Sequence, residues 1–310
     1  GFLSALSTQV IGNSDFYNGA FPAEYSNALS GVFDMHLRNG NNQKYEHAFQ
    51  VGLMGVDLAS EGPISKKRGS SYLVNYRFST TSLASGNDIN LKYQDLAFKL
   101  NFPTRKAGTF SIWGGLADRN KVDALERSEW ETMGDRSSGY NKLDKLAGGL
   151  AHKYVLDENT YIRSSLSATY SKDRSLADLH TDDAIINVAD IQNSRWNLVF
   201  NSYLNKKFSP RHTNRTGITI TELKYDLDYK VSPYLGLNKP MEQISKGSGE
   251  STVFSAYSSS VINLSNNLTT SLGVTGQYFT LNKNWSIEPR VALKWKINPA
   301  HSLAAAYGLH

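Results

Sequence analysis

The residues able to do chemistry are scattered along this chain. The histidines are His36, His47, His152, His180, His212, His301 and His310. No two fall at the His-x-x-x-His spacing that sets two imidazoles on one helix face, and no histidine cluster with close carboxylates is formed. No metal site is expected, and isolated wall, turn or interface histidines are the favoured reading. Serine is abundant, yet no nucleophile-elbow sequence accompanies it. No catalytic set and no cofactor are therefore expected. Asp178, Asp182 and Asp183 have the carboxylate chemistry calcium prefers, but an ordinary solvated loop accounts for them. The basic run Lys66-Lys67-Arg68 could meet lipid phosphates or a protein partner, and equally reads as a solvated turn. Of the five tryptophans, Trp113, Trp196, Trp285 and Trp295 fit the aromatic belts at membrane–water interfaces. Trp130 sits in a long connection between Glu129 and Glu131, and is the candidate ligand-contacting aromatic.

The elements that must position these residues are strands. In Ser286–Asn298, Ile287, Val291, Leu293, Trp295 and Ile297 alternate with Glu288, Arg290, Lys294 and Lys296. Successive side chains of a strand point to opposite faces, so this strand has one apolar and one wet face. The pattern recurs at Tyr72–Ser79, Asp95–Phe102, Phe110/Ile112/Leu116, Leu146/Leu150/Tyr154 and Ile162/Leu166/Tyr170. It continues at Trp196/Leu198/Phe200/Leu204, Leu223/Tyr225/Leu227/Tyr229, Phe254/Ile262/Leu264, Leu272/Val274/Tyr278 and Leu303–Leu309. The apolar member of each alternation is assigned to lipid. No run approaches the ~20 apolar residues of a membrane helix, and mean hydropathy is −0.42. A barrel strand spends only every second residue on lipid, so low hydropathy is compatible with a transmembrane antiparallel β-barrel. Cysteine is absent, while Tyr 17, Phe 13 and Trp 5 give a rich aromatic supply. A formal charge of +5 over 310 residues is too mild to imply nucleic acid.

Connections alternate in length. Short polar turns at 65–69, 104–108, 157–159, 265–267 and 298–301 separate longer stretches near 81–90, 118–142, 172–194 and 231–250. Barrels of the outer membrane show this rhythm, with short periplasmic turns and long extracellular loops. Val122–Arg127 has the composition of a short helix. At Leu53-Met54-Gly55 the apolar phase flips from odd (Tyr45, Phe49, Val51) to even (Val56, Leu58) positions. A bulge or a tight turn explains the flip, and a tight hairpin is favoured because it keeps the up-down parity. The count is about thirteen strands. An odd, open sheet would leave unpaired backbone in lipid, so the chain is expected to be a piece of a longer one, without its signal peptide.

Residues 1–43 lack sustained alternation. The stretch Gly19-Ala20-Phe21-Pro22-Ala23-Glu24-Tyr25-Ser26-Asn27-Ala28-Leu29-Ser30-Gly31-Val32-Phe33-Asp34 resembles the end of the plug domain of TonB-dependent outer-membrane receptors, most closely those of Bacteroidetes-type bacteria. Glu61-Gly62-Pro63-Ile64 and Ser71–Arg77 are similar to that family's second and third barrel strands. Ser26 stands where Gly is more usual, and Phe33-Asp34 replaces Ile-Asn. The likeness is motif-specific over roughly residues 14–80 and follows the pattern elsewhere.

The resemblance implies a plug end at 1–43 and the first part of a 22-stranded barrel at 44–310. It implies a place in the bacterial outer membrane and active import of a scarce nutrient, whether iron chelate, cobalamin, glycan or peptide. Energy would come through TonB, bound by a segment N-terminal to this chain. A surface lipoprotein is a further partner of some relatives. Gly19, Pro22, Glu24, Tyr25, Asn27, Gly31 and Asp34 would form the plug motif. Asn75, Arg77, Lys99, Asn101, Arg163, Asn197 and Asn201 would be polar lumen-facing positions. An outer-membrane barrel enzyme, a passive porin or adhesin, and a soluble β-rich module remain as alternatives.

Overall fold

A computed structural model describes residues 6–18, 22–26, 28, 31–52, 55–79, 90–123, 127–132, 135–232 and 241–309. Two sheets account for its strands. The smaller pairs β1 (Ile11–Asn18) with β2 (Gly31–Leu37). The larger has thirteen strands in strict sequence order. These are β3 (Glu46–Gly52), β4 (Gly55–Ser65), β5 (Ser70–Phe78), β6 (Asn90–Pro103), β7 (Thr109–Asp123), β8 (Ser137–Asp157), β9 (Thr160–His180), β10 (Ile185–Ser209), β11 (His212–Val231), β12 (Glu242–Asn263), β13 (Leu268–Phe279), β14 (Asn284–Asn298) and β15 (His301–Gly308). All neighbours are antiparallel, and β3 and β15 are the two edges. Nearest-neighbour hairpins keep every pairing local, as an up-and-down barrel requires.

Gly52 pairs with Gly55, so β3 and β4 are joined by two residues, and the phase flip there is a hairpin. The β4–β5 turn is one 3-10 turn, Lys66–Arg68, ended by Gly69 in the left-handed region at φ 68°. A Cβ is unfavourable in that conformation, which accounts for glycine at this cap.

The register divides the large sheet into two faces. Leu150, Leu166 and Phe200 lie in one row across β8, β9 and β10. They are exposed, as are Phe110, Ile112, Leu116, Leu198, Leu272, Val291 and Leu293 on the same face. Apolar side chains left out in this way form the belt a barrel turns to lipid. Aromatic residues border it, with Trp196 on Tyr170 at a ring separation of 4.5 Å and Trp285 and Trp295 exposed further round. The other face meets β1 and β2.

Four expectations need correction. The stretch 172–194 is not a long loop: β9 runs to His180 and β10 starts at Ile185. Its polar alternation is that of strands carried beyond the membrane. β10 has 25 residues, where crossing takes only about 9–11. Val122 and Asp123 end β7 instead of opening a helix, Arg127–Glu129 form a 3-10 turn, and 124–126 lie outside the described residues. Leu223, Tyr225, Leu227 and Tyr229 do not face lipid. They pair with Asn197, Arg195, Asn193 and Ile191 on the inner face, while Glu222 and Lys224 pair with Leu198 and Trp196 on the outer one. Beyond the lipid belt the outside is water, so the apolar side of the alternation inverts. Trp113, paired with Lys99 and Gly149, likewise belongs to the inner face and not to a belt.

Candidate functional site

The inner face is organised around the β1–β2 unit, which is held at two places far apart on the wall. The first lies on β4–β6. Val10, Leu73 and Ala97 are almost fully buried together, with Leu6, Ile11 and Leu37 against them. Polar bonds surround this small core. The Ser7 hydroxyl donates to Asp57 at 2.6 Å, and Asn75 donates to the same carboxylate and to the Leu58 carbonyl. The Arg38 guanidinium forks onto Glu61 at 2.7 and 2.6 Å, while its Nε donates to the Gln9 carbonyl. The Asn41 N–H adds a third donor to Glu61. Lys99 donates to the Leu37 carbonyl at 2.6 Å. Bidentate pairs between a planar fork and a carboxylate fix geometry as well as charge.

The second place is a notch on β11–β14. Arg215, Ser259, Gly273 and Arg290 form one row across these strands. Gly273 leaves the gap in that row. A Cβ there would stand 2.8 Å from the Ala23 Cβ, so the absence of a side chain makes the seat. Around it, the Thr275 hydroxyl donates to the Ala23 carbonyl. Arg215 donates both oxygens of Glu24 a bond from Nη1 at 2.6 Å. Arg290 donates to the carbonyls of Pro22, Tyr25 and Ser26 at 3.0–3.3 Å, and to Glu288 at 3.1 Å. Arg290 and Glu288 are nearly inaccessible, at 3% and 8% side-chain exposure. A buried pair of this kind holds only while every donor and acceptor is satisfied, and the turn's carbonyls are what satisfy Arg290. Replacing Gly273 by valine should therefore unseat the turn by overpacking, at a cost of about 1–3 kcal/mol. Limited proteolysis should then cut within 22–26.

The turn is braced on its own side. The Tyr25 hydroxyl donates to Asp34 at 2.7 Å, and its ring packs on Tyr17 at 5.5 Å. Burial, then the bond to Asp34, push the Tyr25 phenol above its ordinary range. Pro22, Glu24 and Tyr25 thus converge on the notch, and Gly31 and Asp34 lie in β2. Gly19 and Asn27 fall outside the described residues.

The other polar positions separate into groups. Lys99 meets the β1–β2 unit at Leu37, whereas Asn75 bonds Asp57 and Leu58 of the neighbouring strand β4. Arg77 donates to Asp95 at 2.7 Å, and Arg119 grips the same carboxylate from β7 with its guanidinium 5.0 Å from the Tyr93 ring centre. Asn101 accepts from Ser111, Asn197 donates to Thr169, and Asn201 donates to Thr219. These three bonds stay within the wall. Arg163 is exposed, in register with Tyr203 on β10.

Trp130 lies at the far end of the strands. Arg127 and Arg136 sit 5.8 and 5.6 Å from its ring centre, and His180 meets it edge-on at 5.7 Å. Arg127 also pairs with Asp182 at 3.1 Å, tying the β7–β8 connection to the β9–β10 tip. The Thr132 backbone and hydroxyl, then the Glu131 N–H, hold the Asp135 carboxyl below its usual range. The ring is engaged by its own loop.

Arg215, Gly273, Thr275, Glu288 and Arg290 were not among the sequence candidates. Their inward placement is set by register, and the turn groups that Arg215, Thr275 and Arg290 bond lie 191–268 positions away in the chain. A Glu-Pro-Arg step on one strand face is the only local signal they leave.

No family model matches the sequence, and no curated protein matches it. Solved structures do match. The pyoverdine outer-membrane receptor FpvA of Pseudomonas aeruginosa PAO1, bound to pyoverdine, is 11% identical with a TM-score of 0.68, covering 96% of this chain and 51% of that one. The outer-membrane transporter YddB of Escherichia coli gives 13% identity and a TM-score of 0.63, over 98% and 48%. The siderophore receptor PirA of Acinetobacter baumannii gives 15% and 0.61, over 94% and 46%. At these identities the likeness is one of fold. This chain spans about half the length of each of those proteins and carries the antiparallel sheet of such receptors, with a small second sheet docked on its inner face.

Proposed function

We propose that the chain is part of a TonB-dependent receptor of the Bacteroidetes type, placed in the bacterial outer membrane. Residues 1–43 are then the end of a plug, and 44–310 the first part of a 22-stranded barrel. The carrying observation is the β1–β2 unit, clamped across the inner face between β4–β6 and β11–β14. A passive pore has no use for a unit that fills its lumen, and an importer needs one that can be moved. The exposed apolar belt supports the membrane placement, and the receptor and transporter neighbours support transport without covalent chemistry.

In this reading a scarce nutrient binds at the outer loops and plug apex. Force delivered by TonB, through a segment N-terminal to this chain, then moves the plug. An iron chelate is the first candidate ligand because FpvA is solved with pyoverdine. Cobalamin, glycan and peptide follow, and a surface lipoprotein is the further partner in this reading.

Deleting the gene and, separately, removing TonB should abolish growth on the same limiting source, among ferric chelate, cobalamin, glycan and peptide media. Growth that depends on this gene but not on TonB would overturn the proposal.

A further inference from the structure

The notch on β11–β14 is an anion-recognition site that the chain fills with its own carboxylate. Arg215 holds both Glu24 oxygens at 2.6 Å. Its guanidinium also stacks 4.7 Å from the Tyr203 ring centre, and Tyr203 meets Tyr161 edge-on at 6.2 Å. Lys153 lies 4.5 Å from the Tyr161 ring centre, and Arg163 stands in the row between Lys153 and Tyr203. Arg215 alone bonds the carboxylate, and the neighbouring cations on aromatic faces make the surroundings favourable to an anion.

Further toward the extracellular end, Lys145, Ser171 and Arg195 share one row of the same inner face, with Lys145 and Arg195 exposed. Two cationic rows thus lie on the inner face of β8–β10, eight residues apart along each strand, with uncharged side chains such as Asn197, Val199 and Asn201 between them. Glu24 is the plug's contribution at the lower end.

We infer that Glu24 stands in for the negatively charged group of the transported solute, and that Arg215 receives that group when the plug turn leaves the notch. The inference rests on the import reading above. Its physical basis is the cost of vacating the notch. Withdrawing Glu24 leaves the Arg215 guanidinium, 34% exposed, without its carboxylate, which is unfavourable to the extent that water does not reach it. A carboxylate or comparable anion arriving from Lys145 and Arg195 removes that cost. Solute and turn then compete for one cation, and by linkage the solute lowers the work of releasing the turn. A neutral glycan has no such effect.

Citrate, a tricarboxylate, is a suitable probe, with sorbitol as neutral control. Titration calorimetry on the purified full-length receptor should show Glu24→Ala binding citrate about tenfold or more tightly than wild type, within the usual span of coupling between sites. Glu24→Gln keeps the side-chain shape and should show the same gain if the alanine variant folds poorly. Adding Arg215→Gln to either should abolish the gain, and sorbitol binding should not change. No gain in either variant, or a gain that survives loss of Arg215, overturns the inference. TonB dependence of growth is measured in the same strains. Retained dependence with no citrate gain rejects this inference alone, whereas lost dependence rejects the import reading.

Discussion

Replacing Arg290 by methionine should destabilise the full-length protein by about 3–5 kcal/mol, the cost of removing one partner from a buried pair. Glu288, 8% exposed, would keep a buried charge with only the Ser286 hydroxyl, at 2.9 Å, beside it. Three carbonyls of the turn would lose their donor at the same time. Denaturant unfolding in lipid vesicles measures the loss. The double variant Arg290→Met/Glu288→Leu separates the two contributions. It should recover the part that comes from the stranded carboxylate, while the turn stays open to protease. If the single variant unfolds like wild type, the notch does not hold the turn.

Replacing Asp95 by asparagine should cost a similar amount, again about 3–5 kcal/mol. Asp95 is 2% exposed and receives guanidinium groups from Arg77 on β5 and Arg119 on β7. Both arginines have only 16% side-chain exposure, so the change leaves two partly buried cations facing an amide. The exposed pair Arg127–Asp182, at 65% and 68%, is the built-in comparison. Asp182→Asn should change stability by about 0–1 kcal/mol, as screened surface pairs do. Equal effects at Asp95 and Asp182 would mean that the inner wall is wetter than the geometry indicates.

Period-two alternation was enough to find every strand of the large sheet, because the strands carry apolar side chains on one exposed face and polar ones on the other. The hairpin between β3 and β4 was legible from the change of phase, which means a bulge or a turn, and from the up-down parity that favours the turn. Alternation failed where the solvent changes. On β11 the apolar stripe from Leu223 to Tyr229 turns inward because the strand has passed the outer edge of the belt. The lengths of β8 to β12 were missed because polar residues on both faces read as loop, although paired strands in water carry polar residues equally well. The candidate site was legible only on the side of the 22–26 turn. Pro22, Glu24 and Tyr25 stand in one short motif, whereas Arg215, Gly273 and Arg290 are united only by register across four strands. Nothing in the local sequence of any one of them records the other two.

The span of the β1–β2 unit has a consequence for biogenesis. Its bonds to Glu61 and Lys99 link segments 23–62 positions apart, whereas those to Arg215 and Arg290 close loops of 191–268 residues. Contacts of such separation form late, since the entropy of closing them must be met before they repay it. The notch itself does not exist until β11, β12, β13 and β14 have paired in order. The 22–26 turn can therefore be seated only once those strands have paired, whatever the state of its contacts at β4–β6. Seating of the turn marks completion of this stretch of wall, and protection of residues 22–26 from protease would time that step during assembly.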